Sequence, residues 1–392
     1  MVCDFRELNK VIKRKVYPLP NINELLRKHS GYEFLTKLDI SMQHYTFELD
    51  EESKDLCTII TPFGKYKWNK LPMGVSCAPD IAQSVMSQLF RAMDPVSCFL
   101  DDIGVFDASF DTHMESLDKV LQILQDNNFT VNPLKCEWAI KETDYLGYWL
   151  TPKGLKPWKK KIDAILNMQA PKNAEELRSF IGAVAYYRDM YPHRAHILAP
   201  LTALTKHKGP IPWNKEQALA FSQMKALLAE EALLAYPDYS LPFHIYTDAS
   251  DYQLGAVIMQ NNKPVAYFSR KLSPAQQNYT VMEKELLSVV EVLKAYRNML
   301  YGCKELIVHT DHKNLTFHKL NSRRVLRWRL LLEDYAPKFE YIKGSHNSIA
   351  DSLSRLGITP FASMGEKGTN EIDNINSSKN HTFFQWKLTH LP

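Results

Sequence analysis

Phe34–Ile40 reads FLTKLDI, and further on Phe99–Asp102 reads FLDD. Asp39 ends an apolar strand. Asp101 and Asp102 sit between two short apolar runs, Cys98-Phe99-Leu100 and Ile103-Gly104-Val105-Phe106, the signature of a hairpin. If the two strands are neighbours, three carboxylates meet at one sheet edge. Such a cluster repels itself unless a hard divalent cation sits in it. An Asp-Asp pair at a hairpin tip is also an ordinary turn, and spacing alone leaves both readings open.

The flanking sequence extends the pattern. Residues 17–28 read as a Pro-bounded turn and a helix, and residues 32–49 as two strands around a short irregular piece, the second through Tyr45, Phe47 and Leu49. Residues 57–71 read as a hairpin turning at Pro62-Phe63-Gly64. Ala78–Met93 has helical period, with Ile81, Val85, Met86, Leu89 and Phe90 on one face, and residues 112–126 are helical again. Residues 135–150 read as short strands, and residues 157–232 as helical pieces cut by prolines. From residue 241 three consecutive strands are followed by a strong helix from Val281 to about Met299. Next come a strand through Ile307, a helix over 322–335, a strand through Phe339 and a short helix near Ser348. The whole is an α+β to α/β multidomain chain whose last folded part is a mixed sheet flanked by helices.

The global numbers exclude more than they assign. The chain has 392 residues, 45% hydrophobic and 23% charged, an ordinary globular composition. No apolar run reaches the ~18 residues of a membrane span, and the opening MVCDFRELNK lacks the apolar core of a signal peptide. The expectation is an intracellular protein with no membrane partner. Six scattered cysteines without a C-x-x-C pair argue against zinc or a disulfide framework. The net charge of +4 hides an asymmetry: −6 over residues 1–150, +5 over 151–240, +5 over 241–357 and 0 over 358–392. That fits a carboxylate cluster in the first part and a polyanion track in the rest.

Several stretches together resemble a reverse transcriptase palm. These are FLTKLDI, Leu71–Gln83 (LPMGVSCAPDIAQ), FLDD, Lys135-Cys136 and Tyr145–Leu150 (YLGYWL), in family order and spacing. Val2–Lys10 and Tyr17–Pro20 resemble the entry to that domain. The nearest likeness is to gypsy-type LTR retrotransposon polyproteins. The resemblance implies that Asp39, Asp101 and Asp102 bind metal, with the Ile40 carbonyl adding a ligand. It also implies that Gly74, Pro79 and Gln83 line the incoming nucleotide and template, and that Tyr145, Leu146 and Gly147 hold the primer end. Gly74 has an independent reason, since glycine lets backbone approach a ligand closely. Phe99 stands where the family has tyrosine, and His44 where an aromatic residue screens the sugar. The chain is expected to start within the fingers, after the basic residues that grip the triphosphate.

A second set of acids lies in the last folded part: Asp248 at a strand end, Glu285 on the long helix, Asp311 after a strand, and Asp351 in a helix first turn. Singly each has a bland reading as a turn or surface acid. Together with Tyr246–Ser250 (YTDAS), Glu283–Leu287 (EKELL), Thr310–His312 (TDH) and His346–Arg355 (HNSIADSLSR) they resemble retroelement ribonuclease H. That implies hydrolysis of RNA in an RNA–DNA hybrid, with two Mg2+ or Mn2+ ions at each of the two catalytic centres.

The resemblance divides the chain into partial fingers and palm (1–150), thumb and connection (151–240), ribonuclease H with a five-stranded mixed sheet (241–357) and a polar tail expected to be disordered (358–392). Leu177–Tyr187 carries the likeness in the helical part. Lys159, Lys160 and Lys161 are either a phosphate track or a solvated helix face. Arg323, Arg324, Arg327 and Arg329 around Trp328 are expected to contact the hybrid. The partners implied are RNA template, DNA primer, hybrid and deoxynucleoside triphosphates, in a cytoplasmic particle or the nucleus. The competing reading is a decayed or domesticated fragment that binds nucleic acid, with ribonuclease H activity alone or none.

Overall fold

The computed structural model describes residues 3–312 and 323–342. Asp351, His346, the helix expected near Ser348 and the tail over 358–392 lie outside the described residues, as does the side chain of Arg323.

The first sheet is built on β1 (Phe34–Ser41). After it come a separate hairpin of β2 (Thr58–Thr61) and β3 (Gly64–Lys67), then β4 (Val96–Phe99) and β5 (Asp102–Asp107). With β6 (Thr130–Val131) the order is β4-β5-β1-β6, and β7 (Glu137–Ile140) also pairs with β1. The register places Leu35 opposite Phe106, Lys37 opposite Gly104 and Asp39 opposite Asp102. Strand alternation puts these six residues on one face. The other face carries Leu38, Ile40, Ile103 and Val105, which are buried with Met86 of the helix Ala78–Leu89 and Leu117, Val120 and Leu124 of the helix Phe110–Asp126.

The expected second strand through Tyr45, Phe47 and Leu49 does not form. Met42 adopts φ +50, a left-handed backbone that ends β1, and Gln43–Thr46 coil into a 3-10 turn. Tyr45 stacks on Trp68 at 5.6 Å between ring centroids. The alternation there reports half-buried side chains on a turn and the loop after it, not a pleated surface.

A second sheet is formed by β8 (Thr143–Tyr145), β9 (Tyr148–Thr151) and β10 (Gly154–Pro157). It packs with the helices Lys159–Leu166, Ala174–Tyr186 and Lys215–Ala229 around a core that includes Leu150, Leu177, Phe180, Val184 and Met224. The last sheet joins β11 (Phe243–Ala249), β12 (Gln253–Gln260), β13 (Lys263–Lys271), β14 (Leu306–Thr310) and β15 (Lys338–Tyr341) in the order β13-β12-β11-β14-β15. Its first three strands are antiparallel, and β11, β14 and β15 are parallel. The helix Val281–Ala295 covers it through Leu286, Val289 and Leu293, and starts at a capping box between Thr280 and Glu283.

The parts are joined by buried polar bonds. Asp189 accepts from Asn23 at 3.2 Å and Arg27 at 3.4 Å, and its carbonyl accepts from the Tyr267 N–H at 2.9 Å. The Ser269 hydroxyl accepts from the Ala195 N–H at 3.0 Å.

Candidate functional site

At the first centre, β1 and β5 deliver Asp39 and Asp102 as direct cross-strand neighbours. The face that carries them is apolar and buried at one end, under Tyr145. A Cβ on Gly104 would lie 2.6 Å from the Phe106 ring and 3.2 Å from Tyr145 Cζ, so only glycine fits beneath that ring. The acidic end emerges at the sheet edge. Asp102 is pushed up to about 6, first by burial and then by Asp101 and Asp39, with Lys37 opposing. Lys135 Nζ lies 3.4 Å from both carboxylate oxygens of Asp39 and supplies the cation that Asp39 meets here.

Asp101 occupies the hairpin turn and stays exposed. Its neighbour Leu100 has φ +54, and bonds from several directions hold the turn. Gln83 Oε1 accepts from the Leu100 N–H at 2.8 Å, and Gln83 Nε2 donates to the Cys98 carbonyl at 3.1 Å. Gln43 Nε2 donates to the Leu100 carbonyl at 3.1 Å, and the Ile40 N–H to the Asp101 carbonyl at 3.1 Å.

The structure places the other expected site residues as follows. Gln83 is fully buried, and its carboxamide bonds to the hairpin at Cys98 and Leu100 and to the Ser87 hydroxyl. Tyr145 is also buried; its hydroxyl donates to the carbonyl of Ser97 at 3.2 Å and lies 3.4 Å from that of Asp102. The turn after it is pinned: Tyr186 donates to the Leu146 carbonyl, and Tyr187 to the Gly147 carbonyl at 2.7 Å. Gly74 has φ +96 while a Cβ there would meet only ordinary contacts at 3.7 Å, so backbone conformation, not crowding, requires glycine. Pro79 lies in the first turn of its helix. Ile40 is buried, and His44 is half-buried, its imidazole pushed down by desolvation while Asp101 opposes.

At the second centre, parallel pairing of β11 and β14 aligns their ends. Asp248 lies on β11, Glu285 on the helix Val281–Ala295 and Asp311 just past β14. Among the described residues these three acids offer ligand oxygens all within 4.8 Å of one another, with Asp248 and Glu285 buried. Asp39, Asp101 and Asp102 do not close to that distance. The Ala249 N–H donates to Glu285 Oε1 at 3.3 Å, which ties the helix acid to the strand. Three carboxylates so close together, two of them buried, match the donor set of a hard divalent cation.

The arginine helix Arg323–Glu333 divides in use. Arg324 is committed: it meets Glu283 Oε1 at 3.3 Å and lies 3.8 Å over the Tyr279 ring. Arg327 is exposed and Arg329 half-buried, with Trp328 packed toward the core. Sequence reading missed Gln43 and the Asn23–Arg27–Asp189 bonds, because neither carries a local pattern.

A two-acid edge on an antiparallel sheet, followed by an acid-lined mixed sheet, defines a polymerase palm joined to a ribonuclease H-like fold. Residues 1–150 match the family model described as reverse transcriptase (RNA-dependent DNA polymerase), and residues 238–335 that of the RNase H-like domain found in reverse transcriptase. The chain is 36% identical over 364 residues to the Retrovirus-related Pol polyprotein from transposon 297 of Drosophila melanogaster, covering 91% of this chain and 34% of that protein. It is 34% identical over 369 residues to the Transposon Tf2-3 polyprotein of Schizosaccharomyces pombe, covering 91% and 28%. The chain thus spans about a third of the length of the curated relatives it matches. The foamy viral protease-reverse transcriptase in complex with RNA/DNA hybrid shares the fold, with TM-score 0.77 and 22% identity over 94% of this chain and 51% of that one. A form of that protein in complex with ds DNA superposes with TM-score 0.81 at 22% identity, over 88% and 62%. The chain is thus similar to retrotransposon Pol polyproteins, with one segment matching the reverse transcriptase family and another the RNase H-like domain found in reverse transcriptase.

Proposed function

We propose that the chain is an RNA-directed DNA polymerase with ribonuclease H activity, a nucleotidyltransferase and endonuclease working on retrotransposon RNA. The observation that carries the reading is the pairing of two separate acid sites on one chain. One is the Asp39–Asp102 edge with Asp101 beside it, and the other is the Asp248–Glu285–Asp311 cluster.

In the first centre Asp39, Asp101 and Asp102 would hold Mg2+ or Mn2+, and in the second Asp248, Glu285 and Asp311, with Asp351 as the expected fourth acid. Bound there, such ions supply an activated oxygen nucleophile and neutralise charge on the leaving oxygen. The chain's own part is placement. Gln83 and Gln43 fix the hairpin, Tyr145 supports the strand from beneath, and the Ala249 N–H orients Glu285. The partners are an RNA template, a DNA primer, the hybrid they form and deoxynucleoside triphosphates, which places the work inside the cell, in a cytoplasmic particle or the nucleus. Arg327 and Arg329 are the cations of the arginine helix assigned to the hybrid backbone.

A second reading, hybrid cleavage without DNA synthesis, draws on the closure of the second acid cluster alone to within 4.8 Å. Primer extension on an RNA template, run beside cleavage of a labelled hybrid with Mg2+ or Mn2+, decides between them. Extension with cleavage is expected. Cleavage alone selects the second reading, and absence of both overturns both.

A further inference from the structure

The helix Arg6–Val11 is six residues long, buries none of its residues and carries Asn9 in its interior. Asparagine is a poor helix former, because its carboxamide competes for backbone groups. Here the carboxamide is engaged with a different segment. Asn9 Nδ2 donates to the Gly74 carbonyl at 2.8 Å, and Asn9 Oδ1 accepts from the Ser76 N–H at 2.8 Å. A primary amide has a donor edge and an acceptor edge, so it closes on a loop as a peptide group would. A local preference set aside for a tertiary bond marks a position with a use beyond its own helix.

The two bonds bracket Val75. That side chain is buried with Phe5 and Cys57, and its carbonyl accepts from the Ala78 N–H at 3.1 Å, where the helix Ala78–Leu89 begins. Just before the bracket, Met73 and Gly74 are exposed, and Gly74 holds φ +96. The segment that carries Asn9 is anchored a second time on the same helix. Arg14 pairs with the buried Asp80, whose Oδ1 also accepts from the Tyr17 N–H at 3.0 Å. An exposed backbone tip fixed from behind by an anchored amide is preorganised for a ligand.

We propose that Asn9 is a positioning residue for the incoming deoxynucleoside triphosphate, holding the Met73-Gly74 tip in the conformation that receives it. This rests on the polymerase reading and on the nucleotide-lining role that the resemblance implies for Gly74. Asn9 acts on nucleotide affinity through the loop and touches no reacting atom.

The test is single-turnover addition of one nucleotide to a primer on an RNA template, which separates nucleotide affinity from the maximal rate. Asn9→Ala removes both bonds while favouring the helix, and should weaken nucleotide affinity about fivefold to tenfold. The maximal rate, primer–template affinity and hybrid cleavage should stay within about twofold. Asn9→Asp keeps the shape and the Ser76 acceptor but sets an oxygen against the Gly74 carbonyl, so it should weaken affinity as well. Lys10→Ala, on the same helix in an exposed pair with Glu7, should change nothing. Gly74→Ala, strained at its positive φ, tests the loop itself and should weaken nucleotide affinity. Weakened affinity in Gly74→Ala with Asn9→Ala unchanged overturns the proposal and keeps the loop reading. So does an Asn9→Ala variant that loses maximal rate and hybrid cleavage together, the mark of a purely structural role. Unchanged affinity in both variants removes the loop from the nucleotide site, and no extension by the unmodified chain overturns the polymerase reading with it.

Discussion

The Tyr296 hydroxyl lies 3.2 Å from Asp189 Oδ1 and 2.7 Å from the Tyr267 carbonyl, in the interior of the protein. Tyr296 caps the helix Val281–Ala295 of the RNase H-like fold, Asp189 follows the helix Ala174–Tyr186, and Arg27, on the palm side, reaches Asp189 Oδ2 at 3.4 Å with both side chains nearly buried. One carboxylate therefore ties three parts of the chain together. Removing it leaves the Arg27 guanidinium buried without its partner. Asp189→Ala should destabilise the protein by about 3 kcal/mol, and Tyr296→Phe by about 1 kcal/mol. Urea unfolding followed by intrinsic fluorescence measures both. Equal, negligible losses would show that the junction is held by apolar packing.

Gln83 is the second test. Its two bonds to the β4–β5 hairpin fix the turn that carries Asp101 and Asp102. Gln83→Leu keeps similar bulk and removes both bonds. DNA synthesis should fall by about 10- to 100-fold, in the range of a misplaced catalytic group, while hybrid cleavage, performed at the other sheet, stays within twofold. Parallel loss of both activities would indicate global damage instead.

The second acid cluster makes the opposite demand. Asp311→Asn or Asp248→Asn should abolish hybrid cleavage and leave primer extension in place. Manganese titration by calorimetry should lose its binding signal from this centre, because the three oxygens within 4.8 Å no longer carry the charge that attracts a dication. Retained cleavage in both variants would remove these residues from the chemistry.

His29 sets an acid limit on stability. Burial pushes its imidazole down to about 3 from an ordinary 6.5, with nearby Lys28 adding to the effect. The ring stacks on Phe106 at 4.0 Å and bonds to the Ser97 hydroxyl. Below pH 6.5 the unfolded chain takes up a proton here that the folded chain refuses. Stability should therefore fall as pH drops from about 6.5 toward 3. His29→Gln should flatten that part of the curve of urea midpoint against pH. An unchanged slope would assign the acid limit to other groups.

How far the sequence reaches can be seen at particular positions. Alternation marked β1, β5 and the strands around Asp248, and the ordered motifs placed Asp39, Asp102, Asp248, Glu285 and Asp311 before any coordinates. Periodicity caught most of the buried face of the helix Ala78–Leu89, with Met86 and Phe90 buried and Val85 and Leu89 packed against them, but it missed the polar residues there. Ile81 is exposed, while the polar Asp80 and Gln83 are buried, because Arg14 pairs with Asp80 and the hairpin saturates Gln83. Hydropathy scores a side chain alone and cannot see a partner that cancels its desolvation cost.

By itself, the sequence determined the acidic residue types at both sites and the order of the strands along the chain, since these follow from residue type and local period. Tertiary structure alone decided the register that sets Asp39 against Asp102, the closure of three acids from separate elements to within 4.8 Å, and the burial of Asp189 between parts distant in sequence. Those depend on which surfaces meet, and long-range pairing is selected by total burial and hydrogen-bond satisfaction, quantities that no single segment carries.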